Sequence, residues 1–302
     1  ARLRPTAPTV LPQVHLPYMT KEGAGGPPQP GFFGGFLGHS YDPLFVLQDP
    51  NAPDFRVPEL TLQTEVSNQR LNARRQLFEA TGIAKIEGRS AQVEMSRMQG
   101  RALDILSSET TQRAFRLSEE APALRDSYGR NVYGQSALLA RRLIQAGTRV
   151  VTISWAPDAN ATWDTHGSNF RTLKSTLLPQ LDAACSSLIT DLMDRGMLDR
   201  TLIAVFGDFG RTPKINGNNA GRDHWNFCYS ILLAGGGFRE GFVYGASDKI
   251  GAFPADRPLS PASVLATLYR QLGVDHRHTL FDSLNRPHRL VPVGDPEPDL
   301  VA

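Results

Sequence analysis

The chain has 302 residues, 40% of them apolar and 21% charged, which suffices for one large or two small globular domains. Its 32 basic and 30 acidic side chains leave a formal charge of +2 without any basic tract, which argues against a nucleic-acid partner. No apolar stretch approaches the roughly 20 residues of a membrane span, and Cys185 and Cys228 show neither zinc-knuckle spacing nor a disulfide framework.

Residues 1–60 open on ARLRPTAPTVLPQVHLPY, with neither an initiator Met nor a signal-peptide core, and continue through GAGGPPQPGFFGGFLG, too rich in Gly and Pro for any regular period. Phe32, Phe33, Phe36, Tyr41 and Phe45 lie among those glycines, so the reading is an irregular segment packed over a core. Over 61–125 the composition shifts to Gln, Arg, Glu, Leu and Ala. Stretches such as SNQRLNARRQLFEA and AQVEMSRMQGRALDIL predict amphipathic helices, together a helical insertion.

Residues 126–302 read as an α/β core with a C-terminal tail. A helix over 135–146 stops at Gly147, and Thr148–Ser154 is a β-branched strand. Phe170, Leu173, Leu177, Leu181, Ala184, Leu188 and Leu192 then recur at helical spacing, followed by a strand over Thr201–Phe206. Strand, long helix and strand predict a βαβ unit with two parallel strands in one sheet. A strand over Tyr229–Ala234 and a helix over Pro261–Leu272, with Ser260 as N-cap and Gly273 as stop, extend the pattern. The expected fold class is α/β with a mainly parallel central sheet.

Parallel strands send their carboxyl ends to one edge, where open α/β sheets bind ligands. The first strand leads into WAPDANATWDTHGSNF and the second into GDFGRTPKINGNNAGRDHW, so Asp164 and His166 are expected to meet Asp208 and His224. Two carboxylates and two imidazoles form an O/N ligand set for a divalent cation. Taken singly, Asp164 reads as a turn or helix-cap residue and each histidine reads more readily as a structural hydrogen-bonder than as a ligand; the convergence of the two loops favours the ligand set. Arg211 and Lys214 are candidates for holding an anionic oxygen, against the alternative of a surface turn closed by Pro213. AGGGFREG lacks the Lys-Ser/Thr ending of a P-loop, and YGQSALL fails the G-x-S-x-G elbow. His15, His39, His276, His278 and His288 have no comparable carboxylate neighbours and read as surface or capping residues.

FFGGFLGHSYDPLFV, YGRNVYGQSALLARRLIQAGTRVV, WDTHGSNF, FGDFGRTPKINGNNAGRDHW, LLAGGGFREGFVYGASD and LSPASVLATLYRQLGVD together resemble the bacterial domain-of-unknown-function family 1501. That family is described as sulfatase-like and related to the alkaline phosphatase superfamily. The resemblance implies a three-layer sandwich, a sulfate or phosphate ester of a small molecule or glycan as substrate, and a divalent ion (Ca, Mg, Zn or Mn) as cofactor. By motif order, Asp164 and His166 resemble the ligands after the middle strand, Asp208 the Asp of a later pair, and His224 the last His ligand. Phe209 stands where the phosphatase pattern has a second His, and Asp-x-His replaces a wider spacing, so the resemblance implies one metal ion or a degenerate site rather than a full two-metal site. The resemblance also implies an export signal of twin-arginine type and a nucleophile, both in a segment upstream of Ala1. A non-catalytic anion- or glycan-binding protein with a degenerate site is the alternative reading.

Overall fold

A computed structural model describes residues 3, 5–23, 25–60, 68–80 and 90–302. It divides into two compact units, one of residues 1–161 with 180–185 and the other of 162–179 with 186–302. The parts of the expected helical insertion at 61–67 and 81–89 lie outside the described residues.

In the first unit, β1 (Gln13–Leu16) and β2 (Leu44–Phe45) precede five helices, α1 (Asn68–Ala80), α2 (Ser90–Ser107), α3 (Glu109–Ala114), α4 (Pro122–Ser127) and α5 (Val132–Gln145), and then β3 (Val150–Ile153). The sheet order is β2-β1-β3, with both pairings parallel. Asn131 caps α5 by accepting the N–H groups of Tyr133 and Gly134, and Leu138, Leu139 and Leu143 on that helix are fully buried. Gly147, at φ 102°, adopts the left-handed conformation that lets the chain leave α5 and enter β3. Phe32 and Phe45 pack their rings on buried His15.

In the second unit, α6 (Asn169–Thr172) runs through a π turn at Leu173–Leu177 into α7 (Leu178–Asp194), whose middle residues 180–185 count with the first unit. The strands that follow are β4 (Ile203–Val205), β5 (Gly210–Arg211), β6 (His224–Trp225), β7 (Leu232–Ala234), β8 (Ala246–Ser247) and β9 (Pro254–Asp256). They lead to α8 (Pro261–Gln271) and the hairpin strands β10 (Thr279–Phe281) and β11 (Pro287–Arg289). Ser260 caps α8 by accepting from the N–H of Ser263. Among the described residues no helix is long and apolar enough to cross a membrane.

The expected large parallel central sheet, and with it the three-layer sandwich, is not the architecture found. The structure is about 37% helix and only 13% strand, and beyond the three-stranded sheet it forms separate antiparallel pairs. β3 pairs with β1, a strand inside the segment read as irregular, and β4 pairs antiparallel with β7. Two causes are visible. The four residues QVHL of β1 are flanked by Pro12 and Pro17, too short a run to show a period among prolines. Residues 206–231 contain no crossover helix, so the chain returns from β4 to β7 in the antiparallel sense.

The β10–β11 hairpin gives a test in the second unit. The backbone N–H of Arg286, aided by the Arg286 and His288 side chains and the N–H of Leu284, holds the Asp282 carboxyl down at about 2. A carboxyl depressed on folding stabilises the protein above its ordinary pKa of about 3.9, and that contribution disappears as pH falls through the folded value. Asp282→Asn should therefore melt below wild type at pH 6, and the two melting temperatures should converge as pH approaches 2. A gap that is the same at both pH values would contradict this account.

Candidate metal centre

The candidate site is built on a two-stranded ribbon. β5 and β6 pair so that Arg211 lies directly opposite His224 and Gly210 opposite Trp225. Directly opposed residues share a face of an antiparallel pair, as do residues two apart on one strand. Arg211 and His224 therefore share one face with Phe209, whose ring stands 4.4 Å from that of His224. The ribbon is reinforced beyond its end, where Thr212 N–H donates to Asp223 O (2.8 Å) and Asp223 N–H donates to Thr212 Oγ1 (3.0 Å). Arg222 adds bonds to Thr212 O and Arg211 O.

The loop carrying Asp164 and His166 is stitched to this ribbon by backbone bonds. Arg222 N–H donates to Thr165 O (3.1 Å), and the Asn216 and Asn218 side-chain amides donate to His166 O at 3.0 and 3.3 Å. Gly221 is buried here, and a Cβ on it would stand 1.8 Å from His166 O. Thr162, Ser168, Asn219 and Ala220, four of the six non-glycine residues with positive φ among the described residues, lie in these two loops. Such conformations cost about 1–3 kcal/mol each and persist only where the surroundings enforce them.

Three ligand-type atoms meet at the centre. His224 Nε2 is 3.0 Å from Asp164 Oδ1, His166 Nε2 is 3.1 Å from the same oxygen, and the two Nε2 atoms are 3.0 Å apart. Arg211 Nη2 donates to Asp164 Oδ1 (2.8 Å) and to Trp163 O (2.7 Å), while Nη1 donates to Arg222 O (3.3 Å). The Asp164 side chain is 16% exposed, against 52% for His224, so the triangle has a covered side and an open one. Burial disfavours the charge on Asp164, but the hydrogen bonds from Arg211 and His224 and the neighbouring positive groups outweigh it and hold the carboxyl below its ordinary value.

His166 Nδ1 is 2.7 Å from Asp223 Oδ1, and an ionised carboxylate only accepts, so this nitrogen carries the proton. In the neutral ring, Nε2 then turns a lone pair toward Asp164 Oδ1 and His224 Nε2. The His224 ring has one proton at most to offer the triangle from its Nε2, so the three atoms converge with fewer protons than contacts. A cation shared by the three atoms would remove that deficit, as would a second proton on either ring. Ligand atoms about 2.1 Å from one ion stand about 3.0 Å apart at right angles and about 3.4 Å apart in a tetrahedron. The observed edges, 3.0 to 3.1 Å, match the former.

Asp164, His166 and His224 are thus brought together as a group able to hold a metal ion. Asp208 is not in that group; its carboxylate is exposed and accepts the N–H of Phe209. Lys214 is exposed on the loop, and Arg211 makes its contacts within the site. Sequence reasoning passed over Asp223, Asn216 and Asn218, although Asp223 directly precedes His224 in RDHW and carries a signal as a carboxylate beside a candidate ligand. Asp223 is also held below the ordinary carboxyl range, first by its bond from His166 and then by that from Asn216. His15 cannot serve Ser154 as a base: its Nε2, 2.8 Å from Tyr18 O, must carry a proton, so the 2.9 Å contact with Ser154 Oγ uses that same N–H.

The family described as "Protein of unknown function (DUF1501)" matches residues 8–298. The chain belongs to this family. No curated protein and no solved structure matches this DUF1501 chain. The match spans both loops of the triangle.

Gly221→Ala tests the stitching of the two loops. Its Cβ overlaps His166 O, so the variant should lose about 1–3 kcal/mol in denaturant unfolding, as overpacked sites do. Gly217→Ala, whose Cβ would meet nothing within 4 Å, should stay close to wild type. Equal stabilities for the two variants would contradict the packing described.

Proposed function

We propose that this chain holds one divalent metal ion through Asp164, His166 and His224 and uses it in hydrolysing sulfate or phosphate esters of small molecules or glycans. The observation that carries the reading is the triangle of one carboxylate oxygen and two imidazole nitrogens, with edges of 3.0 to 3.1 Å. When bound, the ion supplies Lewis acidity toward an ester oxygen. The chain's own groups position and charge the site. Arg211 fixes Asp164, and the Asp223 carboxylate fixes the His166 ring. Three of the five guanidinium N–H groups of Arg211 are spent on Trp163, Asp164 and Arg222. The remaining two have no partner among the described residues and would hold an anionic oxygen of the ester, with Lys214 adding positive charge on the adjoining loop.

One observation favours a second reading, an anion- or glycan-binding protein without hydrolysis. The Phe209 ring stands 4.4 Å from that of His224, at the place where the resemblance implies a second ligating His.

Metal analysis and thermal melts of the full-length protein test the proposal. Wild type should carry about one divalent ion per chain and gain roughly 2.7 kcal/mol of stability at a free metal concentration 100 times Kd. His224→Ala should lose both, whereas His276→Ala, outside the triangle, should keep the stoichiometry. Turnover of aryl sulfates or phosphates that depends on the metal supports the hydrolase. Metal binding without turnover favours the binding protein, and a wild type that takes up no metal overturns the ligand assignment and leaves the binding protein as the better reading.

A further inference from the structure

We infer that Asp223, oriented by Asn216, is a positioning residue that fixes the tautomer and plane of His166 so that Nε2 is presented to the ion held by Asp164 and His224. The inference rests on the metal reading proposed above. Three side chains form a relay into the triangle. Asn216 Nδ2 donates to Asp223 Oδ1 at 3.0 Å, the same oxygen receives His166 Nδ1–H at 2.7 Å, and His166 Nε2 points into the triangle. A carboxylate that accepts at Nδ1 settles which nitrogen carries the proton and strengthens the ring as a donor at the other.

Asn216 acts at two points on this chain. The same amide nitrogen donates to His166 O at 3.0 Å, so one side chain ties both the backbone of His166 and the carboxylate that aims its ring. Asn216 is placed in turn by its N–H bond to Gly221 O and by its side-chain oxygen, which accepts the N–H of Asn218. Asp223 lies one residue before His224, and its backbone is locked to Thr212 in both directions. A single short segment, Asp223 with His224, therefore supplies one ligand of the triangle and the orienting group of another. Asp164 has its counterpart in Arg211, so two of the three ligands are held by a charged partner on the ribbon.

The alternative is that Asp223 merely closes a loop. The two cases separate in the full-length protein by titrating Zn2+ or Mn2+ into wild type, Asp223→Ala, Asp223→Asn and Asn216→Ala, with imidazole nitrogen NMR of His166 on the metal-free forms. Asp223→Ala should bind the ion 10- to 100-fold more weakly at unchanged stoichiometry, the range found for outer-shell partners of ligating histidines. Asp223→Asn, which keeps an acceptor without the charge, should recover part of the loss, and Asn216→Ala should fall between wild type and Asp223→Ala. The wild-type His166 should show the proton on Nδ1, and Asp223→Ala a mixture of tautomers. If Asp223→Ala binds as tightly as wild type with His166 unchanged, or if it loses thermal stability alone, the positioning role is overturned while the metal site stands. If wild type binds neither ion, the metal reading fails, and the positioning inference fails with it.

Discussion

A single carboxylate oxygen joins the side chains of the candidate site. Asp164 Oδ1 lies within 3.1 Å of Arg211 Nη2, His166 Nε2 and His224 Nε2, so one partly covered negative charge gathers a guanidinium and two imidazoles from separate stretches of chain. Opposite charge this close is worth far more in a half-buried setting than in water. Removing the oxygen would leave Arg211 without its acid and two ring nitrogens facing each other at 3.0 Å. The other contacts of the site serve to bring that oxygen to the ribbon and keep it there.

The ribbon itself is short, with two residues in each strand, and its register does the placing. Because Arg211 lies opposite His224, the residue that clamps Asp164 and the residue that shares its oxygen are presented together. A slip by one residue would send both to the other face. The loop 162–169 is held against this ribbon mainly through backbone groups, with Gly221 allowing an approach that any side chain would block. Positive φ at Thr162, Ser168, Asn219 and Ala220 marks where the chain bends to make the approach. That strain is offset by the web of bonds among Arg211, Asn216, Arg222 and Asp223.

These features account for what the sequence disclosed and what it concealed. Helices with a capping residue and an apolar stripe, such as α5 and α8, could be read because their signals are local: Gly147 and Ser260 act where expected. Sheet membership could not, since pairing joins distant segments. Gln13–Leu16 offered only four residues between prolines, yet it pairs with β3, while Thr201–Phe206, expected in the same parallel sheet, supplies β4 of a separate antiparallel pair. The meeting of Asp164 and His166 with His224 was anticipated from a shared edge of parallel strands, whereas its structural cause is the β5–β6 ribbon. Period two also separates Asp208 from the rest: Phe209 and Arg211 share the face toward His224, and Asp208 is one residue out of step. Asp223 could be assigned no role from the sequence because that role depends on the orientation of a ring that no spacing rule predicts.

The central claim is that the Asp164, His166 and His224 triangle holds an ion. Crystals of the protein grown with Zn2+ or Mn2+, measured on both sides of the metal absorption edge, address it most directly. The account predicts one anomalous peak per chain, about 2.0–2.2 Å from Asp164 Oδ1 and from both Nε2 atoms. A metal-soaked crystal with no peak at the triangle, or with the ion bound elsewhere while the three side chains keep their contacts, would contradict it.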